Sequence, residues 1–540
     1  MSEVNTNIIN PVFRKNCLSN KYLWLMAIIL TVAITVRIIF FIGFGLGDDL
    51  IYSSVVNNIM NYGFQSFDLN YGVNYRIGLY LPMLLFFSIL GVNDLSLVLY
   101  PLLASLGSII VIYFIGKELF GKEAGIIAAI LLALCPFDAV FASTLTIDII
   151  TSFFVALSVL LFLKGDACTG KKRILYFVLS AIFLFYGYLV KIPTYFILCC
   201  LVIISLIKIK SFKRHLIFYG STLMLLLVSF VADHFLSGYF LNYPHTQLTQ
   251  CIQPIWYVRI LLDYPEWLFE RMRDGSMLFG YYFYLIIPAL IYISSTRLKQ
   301  AFPLLIWLLV LFLIMEFIPL KFELPYKPSP RYPRYLHALL IPSVVILAAG
   351  FYELLKFKKP VFIAALVTFL TSSVIEASIL YKTWKEPFTD VNEASKFLLT
   401  LPEKPIYSDF LVLNRFKFDA QYKKNYLIPW DLNEILLELD KLKGGLSYFL
   451  PRDLNEIGAE EKRGFSELKK MRSGYVVAGG SRSVEIPEWS ISIFNLNGNK
   501  PPQNWKLIKE IPKELTSYRK EILKIYEVLP EQTEKYAEQN

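Results

Sequence analysis

Residues 47–63 read GDDLIYSSVVNNIMNYG and follow an apolar run over residues 22–46. Two adjacent carboxylates, Asp48 and Asp49, at the end of a membrane-length segment repel each other unless a cation, a substrate hydroxyl or an arginine lies nearby. The residues after them divide by helical spacing. Ile51, Tyr52, Val55, Val56, Ile59 and Met60 are apolar, whereas Ser53, Ser54, Asn57, Asn58 and Asn61 are polar. That split predicts a helix lying in the membrane interface with its apolar face in lipid. A plainer reading makes Asp48 an N-cap and Asp49 a first-turn acid favoured by the helix dipole, although capping requires only one of the two.

The surrounding sequence is that of a polytopic α-helical membrane protein. Of 540 residues, 56% are hydrophobic and only 18% charged, with mean hydropathy +0.51. This excludes an ordinary cytosolic enzyme, a disordered chain and a disulfide-rich secreted domain. The net charge of +10 comes with no basic stripe interleaved with aromatics and no zinc-finger spacing, so no nucleic-acid partner is expected. Runs long enough to cross a bilayer, roughly 17–25 residues, fall at 22–46, 95–116, 123–140, 148–163, 174–190, 192–207, 216–236, 278–295, 301–319, 335–352 and 360–381. A further run, 77–92, is borderline in length and contains Pro82. If it dips and returns, 18 basic residues fall on the cytoplasmic side, against 9 in the outer loops. If it spans, every later basic loop moves outside, against the positive-inside bias. The expectation is therefore about 11 spans with 77–92 re-entrant or juxtamembrane, in a multi-pass protein of the cell membrane whose N-terminus is cytoplasmic. The first span has no small-residue cleavage site and reads as an uncleaved anchor.

Residues 1–381 form the expected transmembrane domain and 382–540 an extracytoplasmic α/β domain. The latter alternates short apolar runs (405–409, 446–450, 475–478, 491–496 and 522–529) with an amphipathic helix near 431–443. It carries 25 basic and 24 acidic residues, so almost all of the net charge belongs to the membrane portion. Of six cysteines only Cys251 is placed outside, which implies no extracytoplasmic disulfide framework. Four histidines without metal-binding spacing and the absence of a CxxC pair argue against structural zinc.

By the same parity, further ionisable residues collect on the outer face. Asp148 opens the fourth span within STLTIDII, either as a cap or as a partner to the first acidic pair. Paired carboxylates can share general-base, metal-binding or cation-stabilising work. Arg76 precedes the 77–92 run, Lys191 sits in a Val-Lys-Ile-Pro hinge, and Lys321, Lys327, Arg331 and Arg334 crowd LKFELPYKPSPRYPRYL. Outer-face cations run against the topology bias. They suit either headgroup anchoring or recognition of a lipid phosphate. Arg37, inside the first span, is expected to snorkel or pair structurally. Asp233, His234 and His245 lie in or beside an aromatic-rich outer loop.

These stretches together resemble the GT-C integral-membrane glycosyltransferases, in particular the branch of protein O-mannosyltransferases and lipid A aminoarabinose transferases. GDDLIYSSVVNNIMNYG is similar to the family's first-loop acidic motif and STLTID to its second-loop acid. YGYLVKIPTY is similar to its hinge-lysine motif, and RYPRYLHALLIPSVVILAAG to its late Arg-Tyr-…-Pro span. The likeness covers residues 22–381. It departs where the usual basic-Pro-Pro reads Arg76-Ile77-Gly78, with Pro82 displaced. The resemblance implies transfer of a sugar from a dolichyl- or undecaprenyl-phosphate donor to a lipid, glycan or protein acceptor, with inversion. It implies that Asp48 acts as general base and that Asp49 orients the acceptor or, with Asp48, holds a divalent cation (Mg or Mn). Asp148 would bind acceptor or stabilise oxocarbenium charge. Arg76, Lys191 and Arg334, or Arg331 in place of Arg334, would bind the donor phosphate, and Tyr52 and Tyr335 would contact substrate. A lipid or glycan transporter would instead place its charges near mid-membrane on repeated broken helices. A non-catalytic scaffold would have no need of the three acids.

Overall fold

The computed structural model describes residues 20–45, 48–63, 76–207, 209–237, 280, 284–317, 319–321, 327–328, 332–408, 410–421, 474–478, 501, 503–511 and 522–529. Arg331, His245, Cys17, Cys251, the helix expected at 431–443 and the runs 446–450 and 491–496 lie outside these residues.

The membrane part is built from α1 (Asn20–Ile39), α2 (Asp48–Tyr62), α3 (Ile77–Leu90), α4 (Asp94–Phe120), α5 (Lys122–Ala133), α6 (Pro136–Phe141), α7 (Ile147–Ala167), α8 (Gly170–Val190), α9 (Phe196–Ile207), α10 (Ile209–Ser237), α11 (Ile286–Thr296), α12 (Leu298–Phe317), α13 (His337–Phe357) and α14 (Lys359–Lys385). Among the described residues, eight helices are long and apolar enough to cross a membrane. They lie in α1, α4, α7, α8, α10, α12, α13 and α14, and this is a multi-pass membrane protein. The run 192–207 is an apolar helical stretch over the same residues, and within 278–295 the described part forms the helix Ile286–Thr296; both are shorter than the other candidate spans. The run 123–140 is not continuous: Cys135 is extended (φ −63°, ψ 121°) ahead of Pro136, which restarts the chain as α6. A residue before proline is pushed out of the helical region, and proline itself fits the first turn of a helix.

Helix α3 is a single uninterrupted apolar helix of 14 residues, shorter than the candidate spans. Arg76, just before it, lies over the Tyr52 ring of α2, and Asp94, just after it, accepts a hydrogen bond from the Phe44 amide beyond α1. Both ends of α3 therefore sit where α1 stops and α2 begins.

Helices α4, α5, α7, α8 and α13 form the packed centre. The α4–α5 hairpin closes tightly enough that a Cβ at Gly125 would lie 2.5 Å from the Tyr113 carbonyl oxygen. Only glycine allows that approach. Across the centre, Arg37 of α1 is 1% exposed and is fully engaged. Its Nε donates to Ser105 Oγ, its Nη1 to the Ala33 and Ala133 carbonyls, and its Nη2 to Asp138 of α6. Arg37 therefore pairs and does not snorkel, and the break before α6 supplies its partner.

Beyond α14, α15 (Thr389–Leu398) and α16 (Phe410–Asp419) accompany a sheet of β3 (Ile406–Tyr407), β4 (Gly474–Ala478), β5 (Trp505–Glu510) and β6 (Lys524–Val528). A separate two-stranded ribbon, β1 (Pro319–Lys321) with β2 (Lys327–Pro328), precedes α13. The four-stranded order is β3-β4-β6-β5, with β3 parallel to β4 and the other pairs antiparallel. β5 escapes a search for apolar runs because WKLIKE is largely exposed, with only Trp505 buried.

Candidate functional site

Four chain segments deliver charge to one place. Helix α2 begins at Asp48 and Asp49, so its first-turn acids meet the positive end of the helix dipole. Asp148 occupies the first turn of α7 behind Thr146, which offers no side-chain cap. Lys191 ends α8 in an extended conformation (φ −157°, ψ 120°) before a 3-10 turn over Ile192–Tyr195. The Lys191 carbonyl accepts from both the amide and the hydroxyl of Thr194, which fixes the hinge. Arg334 lies in the 3-10 turn Pro333–Leu336 that leads into α13.

Arg334 is the centre of the cluster. Its Nη1 is 3.0 Å from Asp48 Oδ2, and its Nε is 3.7 Å from Asp148 Oδ2. The other oxygen of Asp148 receives Lys191 Nζ at 2.5 Å. Lys191 Nζ also lies 4.0 Å from the centre of the Tyr335 ring, and the Arg334 guanidinium is stacked 4.9 Å from Tyr332. The hydroxyl of Tyr52 donates to Asp48 at 3.3 Å, while the Arg76 guanidinium sits 5.1 Å over the same tyrosine ring. Tyr52 thus bridges the acidic turn and the third cation. Asp49 is buried, and its carboxylate takes the Gly45 amide.

Asp48, Asp49, Tyr52, Arg76, Asp148, Lys191, Arg334 and Tyr335 are therefore linked in one neighbourhood. Asp48 is not merely a cap: it carries an ion pair to a residue 286 positions away in the chain. The expected lipid-facing side of α2 is also different from its sequence reading. Tyr52, Val56 and Ile59 are buried together with Ser53 and Asn57, while Ile51 and Met60 are exposed. The helix packs against α3, with Tyr52 and Tyr80 ring centres 6.2 Å apart.

Among the described residues, Arg76 Nη1 and, in the turn after Lys191, Tyr195 Oη are shielded from solvent without a hydrogen-bond partner; Asp148 Oδ2 and Arg334 Nε, equally shielded, meet only each other, across the 3.7 Å ion pair. Buried polar atoms in that condition are costly and mark places where a ligand completes the set. Tyr195 and His337 were not singled out in the sequence. His337 stacks on Phe137 at 3.8 Å, and its Nδ1 lies 3.1 Å from the Arg334 carbonyl. Their only sequence signal is adjacency to the two hinge motifs.

Asp48 faces Arg334, Asp49 accepts from the Gly45 amide, and among the described residues no three His, Cys, Asp or Glu side chains converge.

The fold is shared with solved membrane proteins of known structure. Its particular likeness is to ArnT from Cupriavidus metallidurans. The apo structure of that protein aligns over 95% of this chain and 99% of its own at 13% identity, with TM-score 0.57. The structure of that protein bound to undecaprenyl phosphate aligns over 88% of this chain and 99% of its own at 14% identity, with TM-score 0.52. Residues 79–232 match the family described as Dolichyl-phosphate-mannose-protein mannosyltransferase. That segment includes Asp148 and Lys191 and leaves out Asp48 and Arg334. No match was found among curated protein sequences.

Proposed function

We propose that this protein transfers a sugar from a polyprenyl-phosphate donor to an acceptor at the membrane surface, with inversion at the anomeric carbon. The observation that carries the reading is the gathering of Arg76, Lys191 and Arg334 with Asp48, Asp49 and Asp148, in which an Arg76 donor is left without a hydrogen-bond partner. The solved ArnT complex with undecaprenyl phosphate supports the donor class.

In this reading the donor phosphate lies among Arg76, Lys191 and Arg334. Its negative charge grows as the bond from the anomeric carbon to phosphate oxygen breaks, and fixed cations stabilise that charge without reorganising. The acceptor oxygen attacks from the opposite side, and Asp48 takes its proton. The electron pair of the broken bond leaves with polyprenyl phosphate. Asp49 holds the acidic turn through the Gly45 amide, and Asp148 holds Lys191 in place through their ion pair. Tyr52 and Tyr335 present ring faces beside Arg76 and Lys191, flanking the sugar. No step in this reading is assigned to a divalent cation. This reading puts the cluster on the extracytoplasmic side, with the N-terminus inside and residues 382–540 outside, as the basic-residue bias favours.

Asp48→Asn tests the assignment directly. Full-length protein in lipid nanodiscs is given a panel of undecaprenyl-phosphate-linked hexose, pentose and aminopentose, and release of undecaprenyl phosphate is measured. A lost general base costs about 10²–10⁴-fold, so turnover should fall to background while the protein remains folded. Wild-type turnover in the variant would overturn the role of Asp48. Mass analysis of glycolipids and surface glycoproteins with and without the gene then identifies the acceptor.

A further inference from the structure

The connector between α1 and α2, residues 40–45, carries the acidic turn into the site, and its backbone is held by several side chains from distant segments. Ser143 Oγ donates to the Phe40 carbonyl, the Ile42 amide donates to Ser143 Oγ, and the Gly43 amide donates to the Ser143 carbonyl. Lys385 Nζ donates to the Phe41 carbonyl at 2.8 Å. The Phe44 amide donates to Asp94 Oδ1 at 3.1 Å. The next amide, Gly45, donates to Asp49 itself.

Asp94 does not stand alone. Arg415, on α16, grips it with both ends of its guanidinium, Nη1 to Oδ1 at 3.0 Å and Nη2 to Oδ2 at 3.1 Å. Arg415 is only 5% exposed, and its Nη2 also lies 2.7 Å from Asp419. The rings of Phe44 and Phe418 are stacked with centres 4.4 Å apart, and the guanidinium lies within 5.6 Å of both. Gly43 completes the fit. At φ +82° a Cβ there would come within 2.8 Å of Asp94 Cγ. The backbone can therefore approach the carboxylate closely only with glycine at this position.

We propose that Arg415 is a positioning residue for the acidic turn: through Asp94 and Phe44 it locks residues 40–45, and with them Asp48 and Asp49, into the geometry the transfer reaction needs. The proposal rests on the reading of Asp48 and Asp49 given above. Burial alone would disfavour the charge on Arg415, but Asp94 and Asp419 outweigh that cost and hold its pKa above the usual arginine value. The fork geometry is the essential part. A bidentate arginine fixes both the direction and the distance of its carboxylate, whereas a lysine supplies only a point charge. A catalytic group misplaced by about 1 Å loses about 10²-fold in rate. The donor cations Arg76, Lys191 and Arg334 stand on other segments, so donor binding should survive.

Full-length Arg415→Gln and Arg415→Lys in nanodiscs test this with two readouts. Amide hydrogen exchange over residues 40–62 should rise in both variants while peptides from α7 and α8 stay unchanged; this arm needs no substrate. Release of undecaprenyl phosphate from the donor panel should show kcat down about 10²-fold for Arg415→Gln, less for Arg415→Lys, with KM for the donor within twofold of wild type. Unchanged exchange over 40–62 would overturn the proposal, as would wild-type kcat in a variant whose exchange has risen. If Arg415→Gln does not fold, Arg415→Lys retains the charge without the fork and decides the question by the same readouts. Full activity in Asp48→Asn, with exchange still raised by Arg415→Gln, would remove the role of Asp48 and leave the mechanical link standing.

Discussion

Two buried charge clusters in this molecule use the same residue types and end differently. Around Arg37 and Asp138 each guanidinium nitrogen has a partner, and the acid is shared with Ser105. Around Arg334 the acids and bases are paired, yet Asp148 Oδ2, Arg334 Nε and Arg76 Nη1 lack hydrogen-bond partners in spite of being shielded. From sequence both look like intramembrane ionisable residues, and each would qualify as a functional candidate on that ground. The difference is satisfaction. A closed network specifies packing, whereas around Arg334 one ion pair is loose at 3.7 Å and an Arg76 donor has no hydrogen-bond partner, which leaves room for a ligand to compete.

The largest expected separation between the two clusters comes from Lys191→Met. It removes one of three cations from the proposed phosphate site, and loss of one such stabilising contact costs about 10²–10³-fold in turnover. Asp148 keeps Arg334 nearby, so the thermal midpoint should move little. The opposite pattern is expected for Asp138→Ala. Removing one partner of a buried pair costs about 3–5 kcal/mol because the other charge is left uncompensated. Yield and thermal midpoint in detergent should collapse while turnover per folded molecule stays near wild type. The double variant Arg37→Met with Asp138→Leu should regain most of the lost stability. A turnover defect that persists in that double variant would break the distinction between a structural and a functional cluster.

The sequence contains much of this contrast. Hydropathy locates the long helices, because it is additive along the chain, and it marks 77–92 as a run too short to match them. The acids Asp48, Asp49 and Asp148 and the cations Arg76, Lys191 and Arg334 stand out because charge is rare near apolar runs. Three things do not show. Asp138 hides inside an apolar run, since only the bend before Pro136 turns it toward Arg37. The link from Arg415 to Asp94 joins residues 321 positions apart, and no local pattern records such a pairing. Strand β5 is largely exposed, and the short helices α15 and α16 break their apolar positions with polar and charged residues such as Glu393, Lys396, Arg415 and Lys417.

A third kind of charge pair completes the series, one that is neither buried nor left open. Lys404 Nζ meets Glu527 Oε1 at 2.5 Å beside the four-stranded sheet, with the two side chains 38% and 23% exposed. The hydrogen bond to Glu527 holds the lysine pKa above its ordinary value. The stabilisation from such a raised pKa is complete below the unfolded-state value of about 10.4. It is lost as pH rises through the folded-state value, so the pair weakens only under alkaline conditions. An exposed pair contributes about 0–1 kcal/mol and less at high salt. Lys404→Met should therefore shift the thermal midpoint at neutral pH only slightly, with the shift shrinking in 1 M salt and vanishing above the folded-state pKa. Turnover and undecaprenyl phosphate binding should be unchanged. A loss comparable to that of Asp138→Ala would mean that exposure is a poor guide to which of this protein's charge pairs hold it together, and the contrast between the clusters would then have to rest on geometry alone.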